Sequence, residues 1–447
     1  MPELLEIAKR IAEQADDGEQ IEAYVSWHRE TEIRAFEGEV ESFSSAEMAG
    51  VGIRVIQGNR QGFAYVGDLD ERHAREALAE ARDNATFTTV DEHAGLAEPD
   101  GVAVKQLELW NEGLAGYPNS DKIALALDLE RRVRAGDGRI RQVISTDYGD
   151  SSGESAIASS KGIAVSSRET TCFISTDVVA GEGDDTQTGS GYSVGRGPQD
   201  IDVHVAASDA IERATRLLGA TKPAGGRLTV VFDPRITATL LSILASTLSG
   251  EEVARGRSLF AGRIGEEVAT PLFSLVDDPT DLRAFGASAV DSEGLACRRN
   301  VLIEEGRLSK YLYDSYSSRV AGTVSTGSAV RSGYKSIPGV GARALALTPG
   351  KFDQKEIIAE IGEGLLIQGI SGVHSGVNRV SGDFSVGAEG VLIHNGQLAE
   401  PVREITIAST IQKILQNVLY VGNDVEWLPS SAAGVTLAIG DIAMSGT

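Results

Sequence analysis

The sequence predicts an α+β fold in three parts: an N-terminal α/β domain over 1–90, a central strand-rich domain flanked by helices over 115–220, and a larger, mostly antiparallel β domain with a few helices over 226–447. Short runs of apolar residues at period two recur along the chain, and stripes at helical spacing stand between them. Glycine, at 51 of 447 residues, exceeds the ~7% usual in globular chains, while Val, Ile and Thr abound and Met is scarce. Strands with many tight turns, interleaved with a few helices, follow from this combination.

The first stripe is Leu4, Ile7, Ala8, Ile11 and Ala15, an amphipathic helix with charges mixed in, unlike a signal peptide. Ile21, Ala23, Val25 and Trp27 then alternate with Glu22, Tyr24, Ser26 and His28, which predicts a strand with one buried face and His28 on the polar one. Val51, Ile53 and Val55 repeat the alternation, and Gly58-Asn59 before Gly62 supplies a hairpin turn into Phe63 and Tyr65. A helix from about Asp70 to Ala81 closes the unit, and the acidic stretch 90–120, with its Gly and Pro, reads as a linker.

The second unit opens on a helix over about 121–134, striped by Leu125, Leu129 and Val133. Strands are expected over about 138–147, 154–160, 163–180 and 186–195, with 149–153 and Lys161-Gly162 as turns. A helix over 201–218 ends the unit before the Lys222-Pro223-Ala224-Gly225-Gly226 boundary. In the third unit, strand Leu228 to Phe232 leads through Asp233-Pro234 into a helix striped by Ile236, Leu240, Ile243 and Leu244. Two later helices are expected, one from Asp353 with a capping box to Glu356, and one over about 405–419 aligned by Ile407, Ile411, Ile414, Leu415 and Val418.

Composition narrows the function. Sixty-five acidic residues against 41 basic ones give a net charge of -24, which repels phosphate backbones and argues against nucleic acid as a ligand. No apolar run approaches the ~18 residues of a membrane span, so a cytoplasmic protein is expected. Cys172 and Cys297 lie far apart without a C-x-x-C, as ordinary reduced core thiols do, although Arg298 and Arg299 beside Cys297 would lower its pKa if it were exposed. The six histidines, His28, His73, His93, His204, His374 and His394, form no pair at metal-ligand spacing. Two G-x-S-x-G matches centre on Ser151 and Ser193, but a nucleophile elbow needs a strand before it and a helix after it. The first is expected in a hairpin turn and the second runs into a Gly-Pro. No phosphate-binding glycine loop or dinucleotide fingerprint is present.

The most distinctive stretch is 371–401, SGVHSGVNRVSGDFSVGAEGVLIHNGQLAEP. With Gly50-Val-Gly-Ile-Arg-Val-Ile, Gly62-Phe63-Ala64 and Val421-Gly422-Asn423-Asp424, it resembles the PmbA/TldD family of metallopeptidase-related proteins, on its PmbA/TldE branch, over nearly the whole chain. The resemblance implies degradation or maturation of unstructured peptides. Catalytic members carry H-E-x-x-x-H on the helix after the first strand of the C-terminal domain, and a cysteine near the C-terminus. Two imidazoles one turn apart grip Zn²⁺ while the carboxylate activates its water. Here that helix reads RITATLLSILASTLSGEE, without a histidine, and 422–447 holds no cysteine.

The resemblance therefore implies a chain with no catalytic residue, metal or cofactor of its own. It would act as partner of a TldD-like homologue that carries the zinc, in a heterodimer, with a homodimer as the other possible assembly. His374, Ser375, Asn378, Gly382, Asp383 and Ser385 are its candidate substrate- or partner-binding residues. Asn and Asp also tie turns by side-chain bonds to backbone, and Phe384 suits a core. The functional alternative is that the Gly-rich strands expose a sheet edge to an extended peptide. Two rivals remain: a self-sufficient hydrolase using Ser151, Ser193 or Cys297, and a non-enzymatic peptide-holding homodimer.

Overall fold

The computed structural model describes residues 2–183 and 185–446. The Pro2–Ala12 helix buries Leu4, Ile7, Ala8 and Ile11, as its stripe requires. Six strands follow: β1 (Glu19–Phe36), β2 (Glu39–Gln57), β3 (Arg60–Val66), β4 (Ile140–Ser159), β5 (Ala164–Glu182) and β6 (Asp185–Gly195). They form one antiparallel sheet in the order β3-β2-β1-β4-β5-β6. The β1–β4 pairing, from Glu22↔Ser159 to Ala35↔Thr146, joins segments 1–90 and 115–220 in that sheet. The β2–β3 turn puts Gly58 and Asn59 at φ of 56° and 58°, the left-handed pair a tight hairpin demands.

One face of the sheet is covered by helices. Ile21, Ala23, Val25, Val51, Ile53 and Val55 pack under the first helix and the Glu71–Phe87 helix, whose N-terminal amides are capped by Asp70. Val143, Ile174 and Val178 pack under the Asn119–Gly136 and Val203–Arg216 helices. The other face departs from expectation. Glu22, on the supposedly polar side of β1, is only 2% exposed, because residues of the third unit lie against that side.

Two further expectations are corrected. Residues 149–153 are no turn but the interior of a single 20-residue strand, β4. Gly149 is there for packing, since a Cβ would stand 2.3 Å from the Phe173 ring of the neighbouring strand. The helix expected over 405–419 is instead the end of the Gln397–Thr410 strand, a short helix Ile411–Gln416, and a strand Val418–Val421. β-Branched Ile405, Thr406 and Ile407 satisfy a ladder with the Asp383–His394 strand, and the apparent helical spacing spans three elements.

In the third unit, Gly226–Phe232 pairs in parallel with Gly364–Ser371, which pairs with Asp383–His394, and that in turn with Gln397–Thr410. Leu437–Ser445 pairs with Gly226–Phe232 and also, at 443–445, with residues 406–408. Five strands therefore close on themselves. The Pro234–Thr247 helix, capped by Asp233, buries Ile236, Leu240, Ile243 and Leu244 in the largest core. The Asp353–Glu356 capping box forms as expected. Arg213 reaches Asp233 at 2.9 Å, and Arg235 pairs with Asp209 and stacks on Tyr192 at 4.3 Å, fastening the sheet unit to the closed one. Among the described residues no helix is long and apolar enough to cross a membrane.

Candidate functional site

The Gly-rich stretch forms a surface corner. Asn378 Oδ1 accepts from the amides of Val380 (2.9 Å) and Ser381 (3.1 Å), and Ser381 Oγ donates to Asp383 Oδ2 at 2.6 Å. His374 and Ser375 lie on the short helix Val373–Gly376 before it, and Ser385 follows on the strand. All are exposed except Gly382, and Phe384 is core. The structure brings Asn378, Gly382 and Asp383 into one turn, leaves His374, Ser375 and Ser385 outside it, and puts none of the six on the cavity of about 530 Å³ described below. The Asp383–His394 strand has neighbours on both sides within the closed ring. Over residues 387–393 this strand therefore offers no open edge to an extended peptide.

Gly382 sits at φ +85°, and its Cβ position is 2.1 Å from the end of the Gln412 side chain. Gln412 can swing away, giving up its 3.0 Å bond to Ser381 O, whereas the left-handed backbone cannot change. Gly382→Ala is expected to destabilise by about 1–2 kcal/mol in urea unfolding; a wild-type midpoint would show the corner to be soft.

A cavity of about 530 Å³ lies where the second face of the sheet meets the third unit. Alternation along β1 aims Tyr24, Ser26 and His28 into it, and the strand register adds Gly153 and Ser155 from β4, and Ser167 and Glu169 from β5. The opposite wall is Asp291, Ser292, Arg331, Tyr334, Lys335 and Arg343. Gly50 and Gly52, on the same sheet face, let the 331–335 segment close down. A Cβ at Gly50 would stand 2.4 Å from the Tyr334 ring, and one at Gly52 would stand 2.2 Å from the Tyr334 carbonyl oxygen.

Beneath the cavity the units are joined by buried charges. Arg54 Nη2 is 2.7 Å from Glu22 and 3.3 Å from Glu293, and Arg331 Nη2 is 2.7 Å from the other Glu22 oxygen. Glu293 also accepts from the Ser315 amide (2.8 Å) and hydroxyl (2.6 Å). Burial alone would raise the Glu22 pKa, but Arg54 and Arg331 outweigh it and hold the carboxyl below its usual range. Asp291 has no cation on it, only the amides of Glu293 (2.9 Å), Leu295 (3.0 Å) and Ala329 (3.1 Å). Burial and the Glu293 charge push it up to about 7. Sequence reasoning missed this wall, and only the period-two Gly50 and Gly52 hinted at something pressing on β2.

The cavity offers hydroxyls, amides and cations, a surface suited to an extended polar chain. It offers no assembled nucleophile. Ser151 lines it with His28 and Glu30, yet no hydrogen bond joins Ser151 to His28, and the serine sits in mid-strand without a helix behind it. Ser193, in β6, accepts the Asp202 amide at 2.9 Å. Cys297 is buried, which pushes its thiol up to about 12 in spite of the nearby arginines. Cys172 is likewise buried and pushed up to about 12.

A zinc site does not fit the helix where the resemblance would seek one. On Pro234–Thr247 the hydroxyls of Thr239, Ser242, Ser246 and Thr247 donate to carbonyls of their own helix at 2.8–3.0 Å, and the helix has no imidazole, thiolate or carboxylate.

Three families of one series match the chain in order: "PmbA/TldA metallopeptidase domain 1" over residues 21–85, the "central domain" over 112–218 and the "C-terminal domain" over 225–446. The chain is 28% identical over 401 residues to the metalloprotease PmbA of Escherichia coli O157:H7, covering 90% of this chain and 86% of that one. It is 26% identical over 433 residues to a metalloprotease TldD homologue of Haemophilus influenzae, covering 89% and 87%. The crystal structure of TldE from Thermococcus kodakarensis superposes with a TM-score of 0.89 at 24% identity, covering 100% of both chains, which shows a shared fold.

Proposed function

The chain belongs to the PmbA/TldD metallopeptidase family, and from that premise we propose that it is a metal-free partner subunit of the PmbA/TldE kind, acting in the cytoplasm on unstructured peptides beside a zinc-bearing TldD-like homologue. The observation that carries this reading is the Pro234–Thr247 helix, which has no imidazole, thiolate or carboxylate to ligate zinc and turns the hydroxyls of Thr239, Ser242, Ser246 and Thr247 onto its own backbone. The partner would supply the metal-bound water. This chain would supply cavity wall, holding an extended peptide between the serines of β1, β4 and β5 and the 331–335 segment.

The purified chain alone is expected to carry far less than one zinc per molecule and to cleave no peptide. Mixed with a metal-bearing homologue it should restore peptidase activity that a chelator abolishes. About one tightly held zinc per chain, or cleavage by the chain alone, would overturn the proposal.

A second reading, a serine hydrolase, is favoured by one observation: Ser151, His28 and Glu30 share a cavity. Ser151→Ala and Ser193→Ala should leave the reconstituted activity nearly unchanged. A loss of about 10³-fold in kcat for Ser151→Ala would establish the serine mechanism instead. A peptide-holding homodimer would show as binding without any complementation.

A further inference from the structure

Arg54, beneath the cavity, is neutralised by Glu22 and Glu293, and Arg331, in its wall, by Glu22. Arg343, on the cavity wall, is not. Among the described residues it forms no ion pair. Nη2 donates to Ser292 Oγ at 2.9 Å and only marginally to Ala329 O at 3.5 Å, and Nε has no partner. The residue is nevertheless fixed from behind, because Asp277 Oδ1 accepts the amides of Arg343 (3.0 Å) and Ala344 (2.7 Å). Asp277 feels the guanidinium charge without bonding to it, and Asp291 is occupied by three amides.

A second cation, paired with no carboxylate among the described residues, stands at the rim. Lys335 is exposed, with its ammonium 5.5 Å from the Tyr334 ring, and Tyr334 is seated on Gly50 and Gly52. The unpartnered Nε is itself buried, but Nη1 makes no hydrogen bond among the described residues and is not enclosed, so this half-buried guanidinium of Arg343 can offer Nη1 together with Nη2 to a planar, singly charged carboxylate. At about 530 Å³ the cavity is of small-ligand size, suited to the end of a chain rather than a long segment in passage.

We propose that Arg343, assisted by Lys335, receives the C-terminal carboxylate of a bound peptide, whose preceding residues lie along Ser26, Ser155 and Ser167. The inference rests on the peptide-handling reading above and adds which end of the peptide this chain holds. It would make the chain selective for peptides with a free C-terminus.

The test uses the full chain and a fluorescein-labelled unstructured hexapeptide, as free acid and as C-terminal amide, with binding read by anisotropy. The free acid should bind about tenfold more tightly than the amide. The preference should vanish in Arg343→Gln and partly return in Arg343→Lys. Lys335→Gln, on an exposed side chain that cannot upset folding, should reduce it about threefold. Equal affinity for acid and amide, or no binding of either, would overturn the proposal. So would an amidated peptide with an internal Asp that binds as tightly as the free acid, since the carboxylate would then come from a side chain. Selective binding of the free acid without complementation of a metal-bearing homologue would overturn the partner-subunit reading and leave this site standing.

Discussion

Glu22→Gln is expected to destabilise the chain by about 3–5 kcal/mol, the cost of breaking a buried ion pair from one side. Glu22 has one oxygen on Arg54 and the other on Arg331, each at 2.7 Å, and both arginine side chains are at most 6% exposed. The amide would leave Arg54 with Glu293 at 3.3 Å and Arg331 with the Ser292 carbonyl oxygen at 2.6 Å in place of a carboxylate. Urea unfolding with both variants of the Glu22–Arg54 pair would measure it, and a change below about 1 kcal/mol would mean that water reaches the network. The pH dependence has a definite sign. The folded pKa of Glu22 is depressed, so its contribution is present above the unfolded value of about 4.3 and is lost as pH falls through the folded one. Asp291 acts in the opposite sense. Its folded pKa, about 7, lies above the unfolded one, so stability from its protonated form is lost as pH rises toward 7, and Asp291→Asn should remove that decline.

Gly52→Val is expected to cost about 2–3 kcal/mol and to release the 331–335 segment. The obstacle is backbone: the new Cβ would sit 2.2 Å from the Tyr334 carbonyl oxygen, which no side-chain rotation relieves. Trypsin should then cut after the exposed Lys335 much faster than in the wild type. Gly138→Ala, with nothing within 4 Å of its Cβ position, should leave both stability and cleavage unchanged.

Local pattern made much of the fold legible. The stripes at 4–11 and 236–244, the alternation at 21–25 and 51–55, and the Asp353 cap all form, because each depends on neighbours a few residues away. The expectations that failed depended on distant partners. Gly149 resembles a turn residue until Phe173 is placed against it, and Ile407 resembles helix until its ladder with the Asp383–His394 strand is known. The candidate site was harder for the same reason. Glu22 reads as a solvent-facing strand residue, and nothing near it in sequence announces Glu293 or Arg331, which come from loops without periodicity. The Gly-rich stretch identified the family, but its polar residues are tied into a surface corner away from the cavity.

The closed ring of the third unit also constrains how the molecule is made. Its first strand, Gly226–Phe232, has one long partner that lies about two hundred residues further on, Leu437–Ser445, so that edge stays open throughout most of synthesis. Non-local closures of this kind are slow and leave an unpaired strand exposed meanwhile. The nascent chain can assemble the six-stranded sheet early, then must wait for the Leu437–Ser445 strand before the third unit is sealed. Loss of the final ten residues would therefore strand an open sheet edge next to an apolar core, and aggregation during synthesis rather than a trimmed native fold is the outcome this topology dictates.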